Sequence, residues 1–360
     1  MNPQTAKRLL IMAGGTGGHV FPALATADVL REQGVHVEWL GTEKGIEARV
    51  VPAANITLNT IAVTGLRGKG IASLLSAPFN LIRAIWQAHQ VIKRVKPDAV
   101  LGMGGFASGP GGLAAWLHRI PVVIHEQNAL PGMTNRILSR IAKKVLQAFP
   151  GAFPKLKVEH TIGNPVRGPI LELSEPDTRF KDREGPIRLL VVGGSLGAQA
   201  INRLLPEVLS EMPVESRPVV WHQTGRTHFE ATTEIYNQRN VEAKVVPFID
   251  QMDEAFAWAD LVLCRSGALT VSELAIAGVG SILVPFPYAV DDHQTANAQF
   301  LVAADAARLV QQSELSSDRL KTLLNELNQR DVLLAMAKKA RSQGQPLAGE
   351  KLAVACLEVM

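Results

Sequence analysis

The sequence predicts an α/β protein built from two similar domains, each a doubly wound parallel sheet. The first observation is an internal echo. Position 8 begins RLLIMAGGTGG and position 188 begins RLLVVGGSLGA, 180 residues apart in a chain of 360. Each reads as a buried strand, a glycine pair, a hydroxyl residue, a further glycine and a helix, and such self-similarity marks two related units. The second observation is that short apolar runs alternate with glycine turns and helical stretches through both halves.

The elements follow in order. RLLIMA (8–13) is an unbroken apolar run of strand length. Its glycine turn leads into a helix with Pro22 in the first turn and Gly34 as the stop. VHVEWLG (35–41) is a strand, and DAVLGMGGFASGPGGLAAWL (98–117) holds a strand, a second glycine turn and a helix. PVVIHEQN (121–128) is a strand whose polar residues gather at its carboxyl end. GNPVRGP (163–169) and EPDTRFKDREGP (175–186) read as linker and loop. RPVVWHQTG (217–225), AKVVPFI (243–249), DLVLCRSGALTVSELAIAG (260–278) and SILVPFP (281–287) repeat the pattern.

Composition narrows the class. Apolar residues make up 47% of the chain, which excludes a disordered protein. No apolar run approaches the roughly 18 residues of a spanning helix. Lys7-Arg8 followed by LLIMA imitates a signal peptide, but glycines break the run where a helical core should continue, so no export signal is expected. Cys264 and Cys356 show no metal spacing and suit a reducing compartment. Residues 1–165 carry 18 Lys and Arg against 8 Asp and Glu, a charge of +10, while the remainder carries −6. The basic half fits an anionic membrane surface; no recognition motif supports nucleic acid.

The first glycine turn matches neither common phosphate signature. A G-x-G-x-x-G beginning at Gly15 meets Val20 where the last glycine belongs, and a Walker A loop needs Lys-Ser or Lys-Thr where His19-Val20 stands. A helix N-terminus with exposed N–H groups still attracts anions, so anion binding and a plain tight turn both remain open. In open parallel sheets ligands sit beyond the carboxyl ends of the strands. Residues 16–19, 104–108, 125–128, 194–195, 248–249 and 265–273 fall there.

These residues carry a resemblance. GGTGGHVFPALA, GMGGFASGPGGLAAW, HEQN, AFPGAFP, GNPVR, GGSLGA, CRSGALTVSE, and VPFP followed by DDHQTANA occur in one order from about residue 8 to about residue 300. The set resembles the MurG family, the UDP-N-acetylglucosamine:lipid I N-acetylglucosaminyltransferases of bacterial peptidoglycan synthesis. The resemblance implies a GT-B fold, two Rossmann-like domains facing a central cleft. It implies an acceptor and membrane-facing domain over 1–165, a UDP-GlcNAc domain over 166–340, and a C-terminal helix in 341–360 packing back on the first domain. The implied reaction is inverting: GlcNAc moves from UDP-GlcNAc to the MurNAc 4-hydroxyl of lipid I, giving the β1,4-linked lipid II. The implied location is the cytoplasmic face of the bacterial inner membrane, as a peripheral protein, with other cell-wall synthesis proteins as further partners. The rival enzyme of this fold is a UDP-GlcNAc 2-epimerase, which needs no lipid-facing surface. A nicotinamide oxidoreductase and a non-catalytic UDP-GlcNAc-binding adaptor are the other rivals.

The resemblance also implies roles. Ser195 contacts the donor α-phosphate, with a helix N-cap as the lesser alternative. Glu273 binds the ribose hydroxyls, yet Thr270-Val-Ser-Glu273 is also a capping-box pattern. Ala268, Leu269, Thr270, Val271 and Ser272 supply backbone contacts to the nucleotide, and Ile249 meets the uracil edge, with Phe248 either a wall of that pocket or core. Arg167 reaches the nucleotide, Asn128 and Gln294 contact the donor sugar, and Thr16, Gly17 and Gly18 approach the reacting sugar. The loop before Gln294 is one residue longer than the family pattern, with His293 in place of a glutamine. Gly104 and Gly105 belong to the acceptor side. His19 is the candidate general base, since histidine exchanges protons near neutrality; a turn cap or a cation for the acceptor pyrophosphate are its alternatives. His125 and Glu126 are weaker base candidates, with a satisfied polar group at a strand end as the alternative for each. No D-x-D dyad follows a strand in the nucleotide half, so neither a metal nor a cofactor is expected. Between Ser73 and Lys96, Leu75, Phe79, Ile82 and Trp86 share one helical face flanked by Lys69, Arg83, Lys93, Arg94 and Lys96. That stripe either enters anionic lipid or packs on the domain's own sheet with only Leu75 and Phe79 exposed.

Overall fold

The computed structural model describes residues 6–63, 71–153, 160–194 and 197–360. β1 (Arg8–Met12) shows why the run RLLIM is continuous rather than alternating. Leu9 and Ile11 face one layer of core, Leu10 and Met12 the other, and all four are fully buried. A parallel strand covered on both faces needs apolar residues at every position. The chain continues through α1 (Gly17–Glu32), β2 (His36–Gly41), α2 (Glu47–Ala53), β3 (Thr57–Thr60), α3 (Ile71–Val95), β4 (Ala99–Gly102), α4 (Ser108–Leu117), β5 (Val122–Glu126), α5 (Met133–Leu138), β6 (Lys144–Gln147) and β7 (His160–Thr161). Among the described residues the sheet runs β3-β2-β1-β4-β5-β6-β7, every pair parallel. Strand order reverses between β1 and β4, which is where such sheets open a binding crevice.

The second unit begins with two short helices, α6 (Gly168–Leu171) and α7 (Pro176–Phe180). It then repeats the scheme through β8 (Arg188–Val192), α8 (Gln199–Glu211), β9 (Val219–Gln223), α9 (Phe229–Gln238), β10 (Lys244–Val246), α10 (Met252–Trp258), β11 (Leu261–Cys264), α11 (Ala268–Ala277), β12 (Gly280–Leu283), α12 (His293–Val302) and β13 (Ala307–Leu309). Its described strands run β10-β9-β8-β11-β12-β13, again parallel throughout. The two echoed motifs therefore open equivalent strands, β1 and β8, each beside a reversal of order. α13 (Ser317–Glu326) and α14 (Arg330–Ser342) close this unit, and α15 (Ala348–Leu357) returns to the first, packing on α1.

The units are residues 1–167 with 346–360, and residues 168–345. The crossing lies at Arg167–Gly168, two residues past the expected boundary. The C-terminal span divides differently from expectation: residues 341 and 342 end α14 in the second unit, and the returning helix starts at Ala348. Leu352, Ala353 and Cys356 of α15 join the core of the first unit, while Cys264 lies in β11. Both thiols are free, and burial pushes each pKa up to about 12. Pro22 stands at the sixth residue of α1, not in its first turn. Its missing N–H costs α1 one bond near the start, where few have yet formed. Gly34 takes a positive φ of 79° just beyond the helix end, as a stop requires.

Candidate active site

Two glycine turns meet at the β1/β4 reversal. After β1 the chain passes Gly14, Gly15 with φ 92°, and Thr16, which caps α1 in extended conformation without a side-chain cap bond. After β4 it passes Gly104 and Gly105, at φ 92° and 87°. A Cβ on Gly105 would stand 2.3 Å from the Gly14 carbonyl oxygen, and one on Gly104 would stand 3.0 Å from the His19 ring. The glycines let one loop rest directly on the other. Gly105→Ala combines that clash with a strained φ, so it should lower the thermal midpoint and disturb the first loop; an unchanged melting curve with normal turnover would contradict this packing.

Glu47, which sequence reasoning missed, braces the first turn from below. It is fully buried, one oxygen accepting from the Gly15 N–H at 3.0 Å, the other from the Thr42 N–H at 3.0 Å and the Thr42 hydroxyl at 2.7 Å. This corrects the phosphate-loop reading for one group: the Gly15 N–H already serves a protein carboxylate. A carboxylate 32 residues away carries no local signal in the sequence.

His19 is the third residue of α1 and is half-buried. Its Nδ1 lies 2.8 Å from Gln127 Oε1. The Gln127 amide nitrogen lies 3.1 Å from His125 Nδ1 and 3.0 Å from the His125 carbonyl oxygen. His125 Nε2 in turn lies 2.9 Å from the Gly163 carbonyl oxygen. Burial, only partly offset by that carbonyl, lowers the His125 pKa to about 4, so the ring is neutral near pH 7. Glu126 is buried too, accepting from the Asn128 N–H at 3.0 Å, Asn128 Nδ2 at 3.2 Å, the Gly132 N–H at 3.1 Å and Asn135 Nδ2 at 2.9 Å. His125 and Glu126 are thus framework groups, the satisfied polar groups of the alternative reading and not bases. Asn128 is half-buried at the end of this frame. Arg167 is half-buried, its guanidinium 5.6 Å from the Phe21 ring centroid.

In the second unit, Ser195 and Leu196 lie outside the described residues. The flanking glycines are described: Gly194 and Gly197 take φ of 75° and 77°, and Gln223 donates to the Gly194 carbonyl at 3.1 Å. α11 settles the capping-box question. Its N-cap is Gly267, so Thr270 is the third helical residue and Glu273 the sixth, 5% exposed. Neither stands where a capping box puts its partners. Ala268, Val271 and Ser272 are buried beside it, Leu269 and Thr270 half-buried, and Ser272 donates to the Ala268 carbonyl at 3.0 Å. Ile249 is buried while Phe248 is 39% exposed, so Phe248 is not core. Gln294 accepts from the Phe286 N–H at 2.9 Å, tying the loop after β12 to α12. Arg265 donates to the carbonyls of Val284 and Pro285, at 3.1 and 2.9 Å.

The exposed apolar surface of the first unit exceeds the expected stripe. Phe79, Ile82 and Trp86 on α3 are 77%, 65% and 61% exposed, which overturns the alternative that left only Leu75 and Phe79 outside. The side chain of Leu75 lies outside what is described, as does Lys69. The sheet-facing side of α3 is instead the small-residue face of Ala84, Ala88, Val91, Ile92 and Val95. α4 packs against α3, and α5 against α4. They add exposed Trp116, Leu117, Met133 and Ile137, none legible as a stripe because α4 and α5 are too short to show periodicity. Arg83, Arg136 and Arg140 are exposed on or beside the same helices. Among the described residues, no helix is long and apolar enough to cross a membrane.

Two doubly wound parallel units, each with a glycine turn after its leading strand, make this a two-domain protein of the GT-B fold class. The N-terminal domain of glycosyltransferase family 28 matches residues 9–147 and the C-terminal domain of that family matches residues 188–352. A relative from Marinobacter nauticus is 53% identical over 99% of this chain and 99% of its own, and one from Alkalilimnicola ehrlichii is 55% identical over 97% and 98%. Both are named UDP-N-acetylglucosamine–N-acetylmuramyl-(pentapeptide) pyrophosphoryl-undecaprenol N-acetylglucosamine transferase. The crystal structure of Acinetobacter baumannii MurG matches with a TM-score of 0.85 at 43% identity, covering 98% of this chain and 99% of that one. The chain belongs to this family, the MurG glycosyltransferases. A UDP-N-acetylglucosamine 2-epimerase structure, with a TM-score of 0.64 at 15% identity over 97% and 94%, shares the fold alone.

Proposed function

We propose that this protein is an inverting glycosyltransferase of peptidoglycan synthesis, moving GlcNAc from UDP-GlcNAc to the MurNAc 4-hydroxyl of lipid I to give lipid II. The observation that carries the reading is identity above one half along nearly the whole length of relatives named for that transfer. Labelled UDP-GlcNAc with a lipid I analogue should yield the β1,4 disaccharide and UDP. Release of N-acetylmannosamine instead would mark the epimerase.

The residues act as follows. The acceptor 4-oxygen attacks C1 of the donor sugar from the face opposite UDP. The new C–O bond forms as the bond to UDP breaks, and UDP leaves with the electron pair. His19 takes the hydroxyl proton as its oxygen bonds. Glu273 holds the ribose diol, and Ile249 with the backbone of Ala268, Leu269, Thr270, Val271 and Ser272 frames the nucleoside. Ser195 and Arg167 receive the diphosphate. Thr16, Gly17, Gly18, Asn128 and Gln294 position the sugar, and Gly104 and Gly105 shape the acceptor side. Backbone N–H groups and Arg167 would balance the charge that develops on the leaving diphosphate.

The exposed apolar residues of α3, α4 and α5, with the basic charge of the first half, fit peripheral attachment to an anionic membrane surface, where a polyprenyl-linked acceptor resides. The bacterial inner membrane, approached from the cytoplasm, is the surface this reading requires, and other cell-wall synthesis proteins are its natural neighbours there. Each large side chain buried in lipid contributes about 1.5–3 kcal/mol. Phe79→Ser with Ile82→Ser should therefore strongly weaken sedimentation with anionic vesicles while turnover of a short-chain soluble acceptor persists. Unchanged vesicle binding would remove α3 from the membrane contact.

A further inference from the structure

The hydrogen bonds behind His19 form a directed chain, and its direction is fixed from the buried end. Neutral His125 places its Nε2 2.9 Å from the Gly163 carbonyl, which can only accept, so Nε2 carries the proton and Nδ1 the lone pair. The Gln127 group facing that lone pair must then donate. The same group also faces the His125 carbonyl oxygen at 3.0 Å and Met103 Sδ at 3.8 Å, both acceptors. The reverse amide orientation would set an oxygen against three acceptors. Gln127 Oε1 is therefore the atom turned to His19, at 2.8 Å from Nδ1, and an amide oxygen can only accept. The backbone of Gln127 is held as well, its carbonyl accepting from Asn164 Nδ2 at 3.0 Å.

We propose that Gln127 is a positioning residue that fixes neutral His19 in the tautomer protonated on Nδ1, leaving the lone pair on Nε2. The inference rests on the reading of His19 as general base. Neutral imidazole left to water prefers the opposite tautomer, with its proton on Nε2. The chain from Gly163 through His125 and Gln127 reverses that preference, so the ring waits with its basic nitrogen on the edge away from the framework. Gln127 touches no substrate in this account and acts only through His19.

Nitrogen-15 NMR of histidine-labelled full-length protein tests this directly, with the His19 resonances assigned by their loss in His19→Gln. The expected result in the unsubstituted protein is a proton on Nδ1 and an unprotonated Nε2. In Gln127→Leu the population should move toward the Nε2-protonated form and kcat should fall about tenfold, with both KM values little changed, the size expected for one lost hydrogen bond. An Nε2-protonated ring in the unsubstituted protein, or an unchanged tautomer in folded Gln127→Leu, overturns the proposal whatever the rate. If instead His19→Ala keeps normal kcat, the reading of His19 as base fails, and the tautomer result still judges Gln127 on its own. The unsubstituted spectrum stands even if Gln127→Leu folds poorly.

Discussion

His19→Ala is expected to lower kcat by roughly 10²–10⁴-fold, the usual contribution of a positioned general base. UDP-GlcNAc binding should change little, because the interaction lost is one made as the proton moves. The fold should survive: His19 is half-buried in the first turn of α1, alanine is a strong helix former, and the core beneath is carried by Val20, Ala23 and Ala27. Steady-state kinetics with both substrates varied checks the expectation. A raised lipid I KM with near-normal kcat at saturation would make His19 a cation for the acceptor pyrophosphate instead.

Glu273→Ala is expected to raise the donor KM at least about tenfold with little change in kcat. In the proposed role the ribose diol would donate to the carboxylate in ground and transition states alike, and a hydrogen bond to a charged group is worth about 1.5–3 kcal/mol. Loss of a helix cap does not enter, since the cap of α11 is Gly267. Glu273→Gln should recover part of the loss by keeping one acceptor oxygen. An unchanged donor KM alongside a lowered thermal midpoint would assign Glu273 to the packing of α11.

These expectations differ in how far the sequence could support them. The TVSE pattern around Glu273 satisfies a capping box in composition, and only the start of the helix decides against it. That start depends on how the loop after β11 leaves the sheet. The apolar stripe of α3 was equally visible, but periodicity defines a face without saying which way it points. The alanines opposite allow α4 to approach closely, so the small face turns inward and Phe79, Ile82 and Trp86 turn outward. His19 could be singled out from its glycine turn and Gln127 lies in the HEQN strand end 108 residues further on, but nothing in the sequence pairs the two.

The sequence by itself determined the two parallel-sheet units, the strands beside which their glycine turns open, and the family. Those features are written locally: strands covered on both faces need continuous apolar runs, and backbones at positive φ need glycine. Tertiary structure alone decided that Glu47 holds the first turn, that His125 and Glu126 are framework, and that Gln127 faces His19. The bonds of Glu47, His125 and Gln127 join residues distant in the chain, which become neighbours only when parallel strands, joined by long crossovers, bring their carboxyl ends to one edge of the sheet; those of Glu126 are nearer in sequence but depend on how the loop after β5 folds back on it.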